Sequence, residues 1–256
     1  MGDRIMGDGT MTHDAVQDLP GVHLRWLALC EQRLDAERLL PLLGTAERER
    51  YRATGSAAVA ERFVFGRVLL RMLAGELLGR PATAVHVSAR CARCGGAHGR
   101  PWIDGAEHLS VSIAHCAGAV VVAASSAGIV GVDVEPVEGP AERGVAITRI
   151  AGAPFATGGF RAADPILHWT RIEAALKADG RGLDLDPRRV RIHESRFAAE
   201  ARIDESRFRL AEPRLDPSLR VSVALGDAVG GAGPIIGWRR EHGDALEDSL
   251  ASVGGR

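Results

Sequence analysis

The chain has 256 residues, 46% hydrophobic and 25% charged, and its 32 basic side chains are matched by 33 acidic ones for a formal net charge of −1. This is the composition of a globular protein long enough to bury a proper core, and its balance argues against a general nucleic-acid or membrane binder while leaving room for a local basic pocket. No run of 18 apolar residues occurs, which excludes a transmembrane helix, and the acidic amino terminus does not read as a secretory signal; the cytoplasm is the expected compartment.

Residues 1–20 are polar and irregular and are expected to be disordered. Val22 to Leu29 alternates weakly as a first strand, and Leu34 to Leu43 carries a short helical pattern into Gly44. Thr45 is the expected cap of the next helix, with Glu47 in its first turn. From Ser56 to Leu78 the stripe of Phe63, Leu69, Leu70, Leu73 and Leu77 predicts the longest helix, ending at Gly79. Arg67 and Arg71 share one of its faces, as a solvated edge or as part of a basic pocket. Val85 to Ser88 reads as a short strand.

Four cysteines, Cys30, Cys91, Cys94 and Cys116, are too few for a disulfide framework at this size. Cys91-Ala-Arg-Cys94 followed by His98 has the spacing of half a zinc site, but no second Cys or His pair follows at a finger-like distance. A tight thiol-bearing turn before Gly95-Gly96 is the expectation there. Pro101 then holds Arg100 in extended backbone.

Leu109 to His115 alternates as a strand, Ala119 to Ser125 is a buried strand, and Ile129 to Glu135 has an informative period of two. Val130, Val132 and Val134 point to one face; Gly131, Asp133 and Glu135 point to the other. Two carboxylates at adjacent same-side positions repel. Either a divalent cation such as magnesium sits between them, or the strand end reaches solvent before Pro136 and both acids are hydrated.

After Pro140 the sequence is weakly patterned until Asp164-Pro165, a helix start with Pro at the first helical position. Trp169, Ile172 and Leu176 make its buried stripe, Glu173 and Lys177 share another face, and Gly180 ends it. Lys177 is the only lysine beside 31 arginines. A compact ammonium on a flexible stem can follow one phosphate oxygen, though an ordinary i, i+4 surface pair with Glu173 accounts for the same spacing. Strands are expected at Arg189 to His193, Arg207 to Leu210 and Leu219 to Leu225. The fold class expected is α+β, with two comparable lobes of helices on mainly antiparallel sheet: residues 21–140, residues 141–226, and a peripheral tail over 227–256. Metal-binding acids and basic side chains around a cleft are what phosphoryl chemistry requires.

The order of these motifs resembles the Sfp-type 4′-phosphopantetheinyl transferases. The resemblance spans roughly Glu47 to Leu183. It rests on Arg62-Phe-Val-Phe-Gly-Arg-Val-Leu-Leu-Arg71, Gly99-Arg-Pro101, Ser110-Val-Ser-Ile-Ala-His115, Gly131-Val-Asp-Val-Glu135 and the segment Trp169 to Leu183. It implies two similar lobes related by a pseudo-twofold axis, with the site between them. The implied activity is of the holo-acyl-carrier-protein synthase type: Mg2+-dependent transfer of 4′-phosphopantetheine from coenzyme A to a serine of an apo acyl or peptidyl carrier protein, releasing 3′,5′-ADP, by a monomer. Fatty-acid, polyketide and nonribosomal-peptide carriers all stay open.

By the same resemblance, Asp133, Glu135 and Glu173 hold the metal, and Glu173 is the usual candidate for general base. Lys177 contacts the coenzyme A phosphates, His115 and Arg100 lie near the 3′-phosphate, and Arg50 matches a basic residue on the preceding helix. Arg67 joins them as a coenzyme A contact. Two departures stand out: Ile172 occupies a position where the family has lysine, and Ala114 one where it commonly has serine. A catalytically weakened member that binds carrier domains, and a metal-dependent nuclease or nucleotide hydrolase, are the competing readings.

Overall fold

The computed structural model describes residues 21–30, 34–91, 93–96, 99–140, 142–152, 164–195, 198–226 and 236–251. Segment 1–20 and His98 therefore lie outside the described residues. Among the described residues the protein is mixed α+β, with six α-helices and three sheets. None of these helices is long and apolar enough to cross a membrane.

In chain order the elements are β1 (Val22–Ala28), α1 (Ala36–Leu39), α2 (Thr45–Ala53), α3 (Ala57–Leu78), β2 (Val87–Ala89), β3 (Pro101–Ile103), β4 (Ser110–His115), β5 (Ala119–Ser125) and β6 (Ile129–Pro136). They are followed by α4 (Glu142–Ala151), α5 (Pro165–Asp179), β7 (Arg191–Glu194), β8 (Ala199–Ile203), β9 (Ser206–Ala211), β10 (Leu219–Gly226), β11 (Ile236–Glu241) and α6 (Gly243–Ala251). The sheets run β11-β1-β5-β4, β6-β10-β9-β8-β7 and β2-β3. All pairings are antiparallel except β1 with β11.

Alternation along the strands builds four layers. Val120, Val122 and Ala124 of β5 face α3 in one core, and Val121 and Ala123 face the other way. There they meet Val130, Val132, Val134, Val221, Val223 and Leu225 of the second sheet. Beyond that sheet, α5 closes a third core with Ile172, Ala174, Leu176, Phe208 and Leu210. Each buried valine or leucine contributes about 1.5–3 kcal/mol. This outweighs the roughly 1 kcal/mol of each polar link between the sheets, in which Ser110 and Ser112 hydroxyl oxygens accept from Val130 and Val132 N–H.

The two long helices follow their local signals. Asp164 caps α5 by accepting from Ile166 and Leu167 N–H at 3.0 Å each, and Gly180, at φ +91°, ends it in the left-handed conformation. For α2 the N-cap is Gly44 in place of Thr45, since the Glu47 carboxylate accepts from Gly44 N–H at 2.8 Å.

Long-range pairing alters the expected division of the chain. β6 pairs with β10, Asp133 opposite Ser222 and Glu135 opposite Arg220, so it belongs to the second sheet and the break between sheets falls before residue 129. Residues 236–251, read as peripheral, form β11 beside β1 and α6, whose Leu246 is fully buried in the first core. That segment supplies an edge strand and a helix to the first half. α4 and β8 carried too weak a pattern to be expected from sequence.

Candidate active site

β6 and α5 build the site between them. Gly131 makes their contact possible: a Cβ there would lie 2.0 Å from the Ala174 carbonyl oxygen and 2.5 Å from Ala178 N. The neighbouring strand β10 is tied to α5 as well, by the 2.8 Å hydrogen bond shared by the buried Thr170 and Ser222 hydroxyls. With the helix seated so closely, the polar face of β6 looks onto its Glu173–Lys177 face.

Lys177 Nζ donates to Asp133 Oδ1 at 2.7 Å. Asp133 is 6% exposed, and its Oδ2 is buried with no hydrogen bond. Glu135 accepts from Arg143 of α4, whose Nη1 also donates to the Pro136 carbonyl at 2.8 Å. Burial, and then Asp133, raise the Glu135 carboxyl above its ordinary value, while Arg143, Lys177 and a hydrogen bond to Trp169 act against them. Glu173 is pushed up to about 7 by burial first and then by Asp133 and Glu135, with Lys177 opposing. Burial is the leading cause at both Glu135 and Glu173, and the neighbouring carboxylates add to it.

His115, at the solvent-exposed end of β4, faces the same group. Partial burial, then Arg62 and Lys177, hold its imidazole below the ordinary histidine value, with Asp133 opposing. Arg62 did not figure among the candidates drawn from sequence. Its Nε is buried without a hydrogen bond, and it lines a cavity of about 170 Å3 with Leu29, Leu34, Phe65 and Ala117. Gly66, one turn later, lies where a Cβ would be 2.9 Å from Ile113 of β4. An arginine four residues before a glycine that must face the sheet was the available signal.

The remaining candidates are placed elsewhere. Arg67 and Arg71 are buried around Glu47 and are not a solvated edge: Arg71 Nη1 donates to Glu47 Oε1 at 3.2 Å, and Arg67 Nε is 3.5 Å from the same oxygen. Burial pulls Arg67 down to about 10. Arg50 and Arg67 both stack on Phe63, at 4.5 and 5.2 Å from the ring centre. Arg100 donates to the Ala178 carbonyl at 3.2 Å and to the Ser110 hydroxyl at 2.8 Å, tying the end of α5 to the start of β4. Five residues separate Ser110 from His115, about 17 Å of strand, so Arg100 is not brought beside His115.

Ile172 is fully buried in the third core, and Arg171 next to it is committed to Glu194 and Glu212. Neither lies on the Glu173–Lys177 face. The residue at position 172 therefore packs the helix instead of charging the site.

Asp133, Glu135 and Glu173 suit a hard divalent cation in donor type, since all are carboxylates. The orphaned Asp133 Oδ2 and the raised Glu135 and Glu173 carboxyls are what an added positive charge would relieve. As placed, with Asp133 and Glu135 bonded to Lys177 and Arg143, no three His, Cys, Asp or Glu side chains among the described residues converge tightly enough to hold one. No family model matches the chain, and no curated protein matches it.

Proposed function

We propose that the protein transfers the 4′-phosphopantetheine group of coenzyme A to a serine hydroxyl of an apo acyl or peptidyl carrier protein. One observation carries this reading. A carboxyl raised to about 7, Glu173, stands one helical turn from the single lysine, and that lysine spans to Asp133 of β6. The motif order and the two helix-on-sheet halves, α3 on one sheet and α5 on the other, support it further.

The incoming serine oxygen forms a bond to the phosphorus that bears the pantetheine arm, and the bond from that phosphorus to the bridging oxygen breaks, releasing 3′,5′-ADP. Glu173 accepts the serine proton; a carboxylate of pKa near 7 is both available and basic enough at neutral pH. Lys177 meets the charge that grows on the leaving phosphate, and its long stem lets it exchange Asp133 for that oxygen. His115 and Arg62 provide donors at the open edge of the site. Asp133, Glu135 and Glu173 are the residues that would hold Mg2+, which when bound would lower the charge on the pyrophosphate.

The test is intact-mass measurement of an apo carrier domain after incubation with the protein, Mg2+ and coenzyme A. Gain of one phosphopantetheine is expected. No gain with any acyl or peptidyl carrier, under conditions where the protein is folded and binds coenzyme A, would remove the transferase reading.

A further inference from the structure

The turn between β2 and β3 is built around two sulfurs. Cys91 N–H donates to the Gly96 carbonyl and Gly95 N–H donates to the Cys91 carbonyl, each at 2.8 Å, closing a tight loop. Gly95 takes φ +73°, a conformation that side chains disfavour. Gly99 lets the base of the loop close: a Cβ there would fall 2.0 Å from the Arg90 carbonyl oxygen.

Inside this loop the backbone N–H groups of Arg93, Cys94 and Gly96 point at sulfur. Those of Arg93 and Cys94 donate to Cys91 Sγ, and the two cysteine side chains are within hydrogen-bonding reach of each other. Gly96 N–H donates to Cys94 Sγ at 3.4 Å. Both sulfurs of the loop thus accept from backbone N–H, and at Cys91 these bonds favour the thiolate. Cys94 is exposed and Cys91 half-buried. A Cys-x-x-Cys pair used for thiol–disulfide exchange opens a helix; this one lies between the two strands of a hairpin and opens none.

We propose that Cys91 and Cys94 form a two-thiolate corner that binds a soft divalent cation of the zinc class, separate from the acids around Glu173. The chemistry is metal–sulfur coordination with release of the thiol protons. Two thiolates from one short loop set two of the four tetrahedral positions, and the exposed side of the loop leaves the other two to solvent donors. Its position beside the chain after α5, where Arg93 pairs with Asp184 at 3.4 Å, means that a bound cation would stiffen the hairpin against that segment.

The experiment uses the full chain, reduced and stripped of metal, titrated with Co2+ alone and followed by thiolate-to-cobalt charge-transfer absorption. Zn2+ is then added to displace the cobalt. One equivalent per chain is expected, with affinity lowered at least about tenfold in Cys91→Ser or Cys94→Ser and unchanged in Cys30→Ser and Cys116→Ser. Circular dichroism of each variant confirms that the fold is retained. Absence of the absorption in the reduced wild-type chain, or its persistence in the Cys91→Ser/Cys94→Ser double variant, would overturn the proposal.

Discussion

The Lys177 ammonium lies 2.7 Å from Asp133 Oδ1, and the other oxygen of that carboxylate is buried without a hydrogen bond. Lys177→Ala strands a nearly buried charge and is expected to cost about 1–3 kcal/mol, below the cost for a fully buried pair because the lysine side chain is 29% exposed. Adding Asp133→Asn should recover part of that loss. Urea midpoints for the two single variants and the double variant give the coupling; strict additivity would mean that the pair contributes nothing. Coenzyme A use by Lys177→Ala should fall severely, and unchanged kinetics would return Lys177 to an ordinary surface pair.

Glu173 makes stability depend on pH with a definite sign. Its carboxyl titrates at about 7 when folded, above the ordinary 4.5. The folded state therefore holds its proton more tightly than the unfolded one, and stability falls as pH rises from about 4.5 to 7 and is level beyond. Glu173→Gln removes that loss. Relative to wild type, the variant should gain on the order of 2 kcal/mol between pH 4.5 and pH 8, read from denaturation midpoints at both values. In the transfer assay Glu173→Gln should lose transfer while still binding coenzyme A. Normal turnover by that variant would displace Glu173 as the base.

Gly131→Ala tests how closely α5 must approach β6. Its Cβ would overlap backbone atoms of Ala174 and Ala178, which have no flexible end to swing away. The strand or the helix must shift, at an expected cost above about 3 kcal/mol. Thermal unfolding measures it, and a near-neutral result would contradict the packing described for this pair of elements.

Arg62 and His115 give a test by nuclear magnetic resonance. The imidazole titrates below its ordinary value through partial burial first and then through Arg62 and Lys177. Arg62→Ala should move the His115 titration upward without altering the other resolved histidines. An unmoved midpoint would place Arg62 away from this edge of the site.

Local pattern accounts for much of the site. The alternation from Ile129 to Glu135 placed Asp133 and Glu135 on one face, and helical spacing placed Glu173 and Lys177 together; both are statements about neighbours within one element. Arg62 was hidden because an arginine on a long helix gives no sign of its face until Gly66 is known to lie on β4. Arg143 was hidden because α4 has only a faint apolar stripe, with Ile147 and Ala151 as its buried residues. For Arg100 the extended backbone was legible from Pro101, but its partners, Ala178 and Ser110, come from other elements and were not.

Local sequence was enough for the helix ends at Gly79 and Gly180, the cap at Asp164, the two-faced strand of acids and the absence of a membrane-spanning run, since these depend on backbone preferences and periodicity over a few residues. Tertiary structure alone decided that β6 leaves the first sheet to pair with β10, that residues 236–241 return to pair with β1, and that Arg67 turns inward to Glu47. Strand partners and helix faces are chosen by which apolar surfaces can be buried together across long stretches of chain. Asp133 meets Lys177 for that reason: the valines on the reverse of β6 bury against the first sheet, and the carboxylates must then face α5.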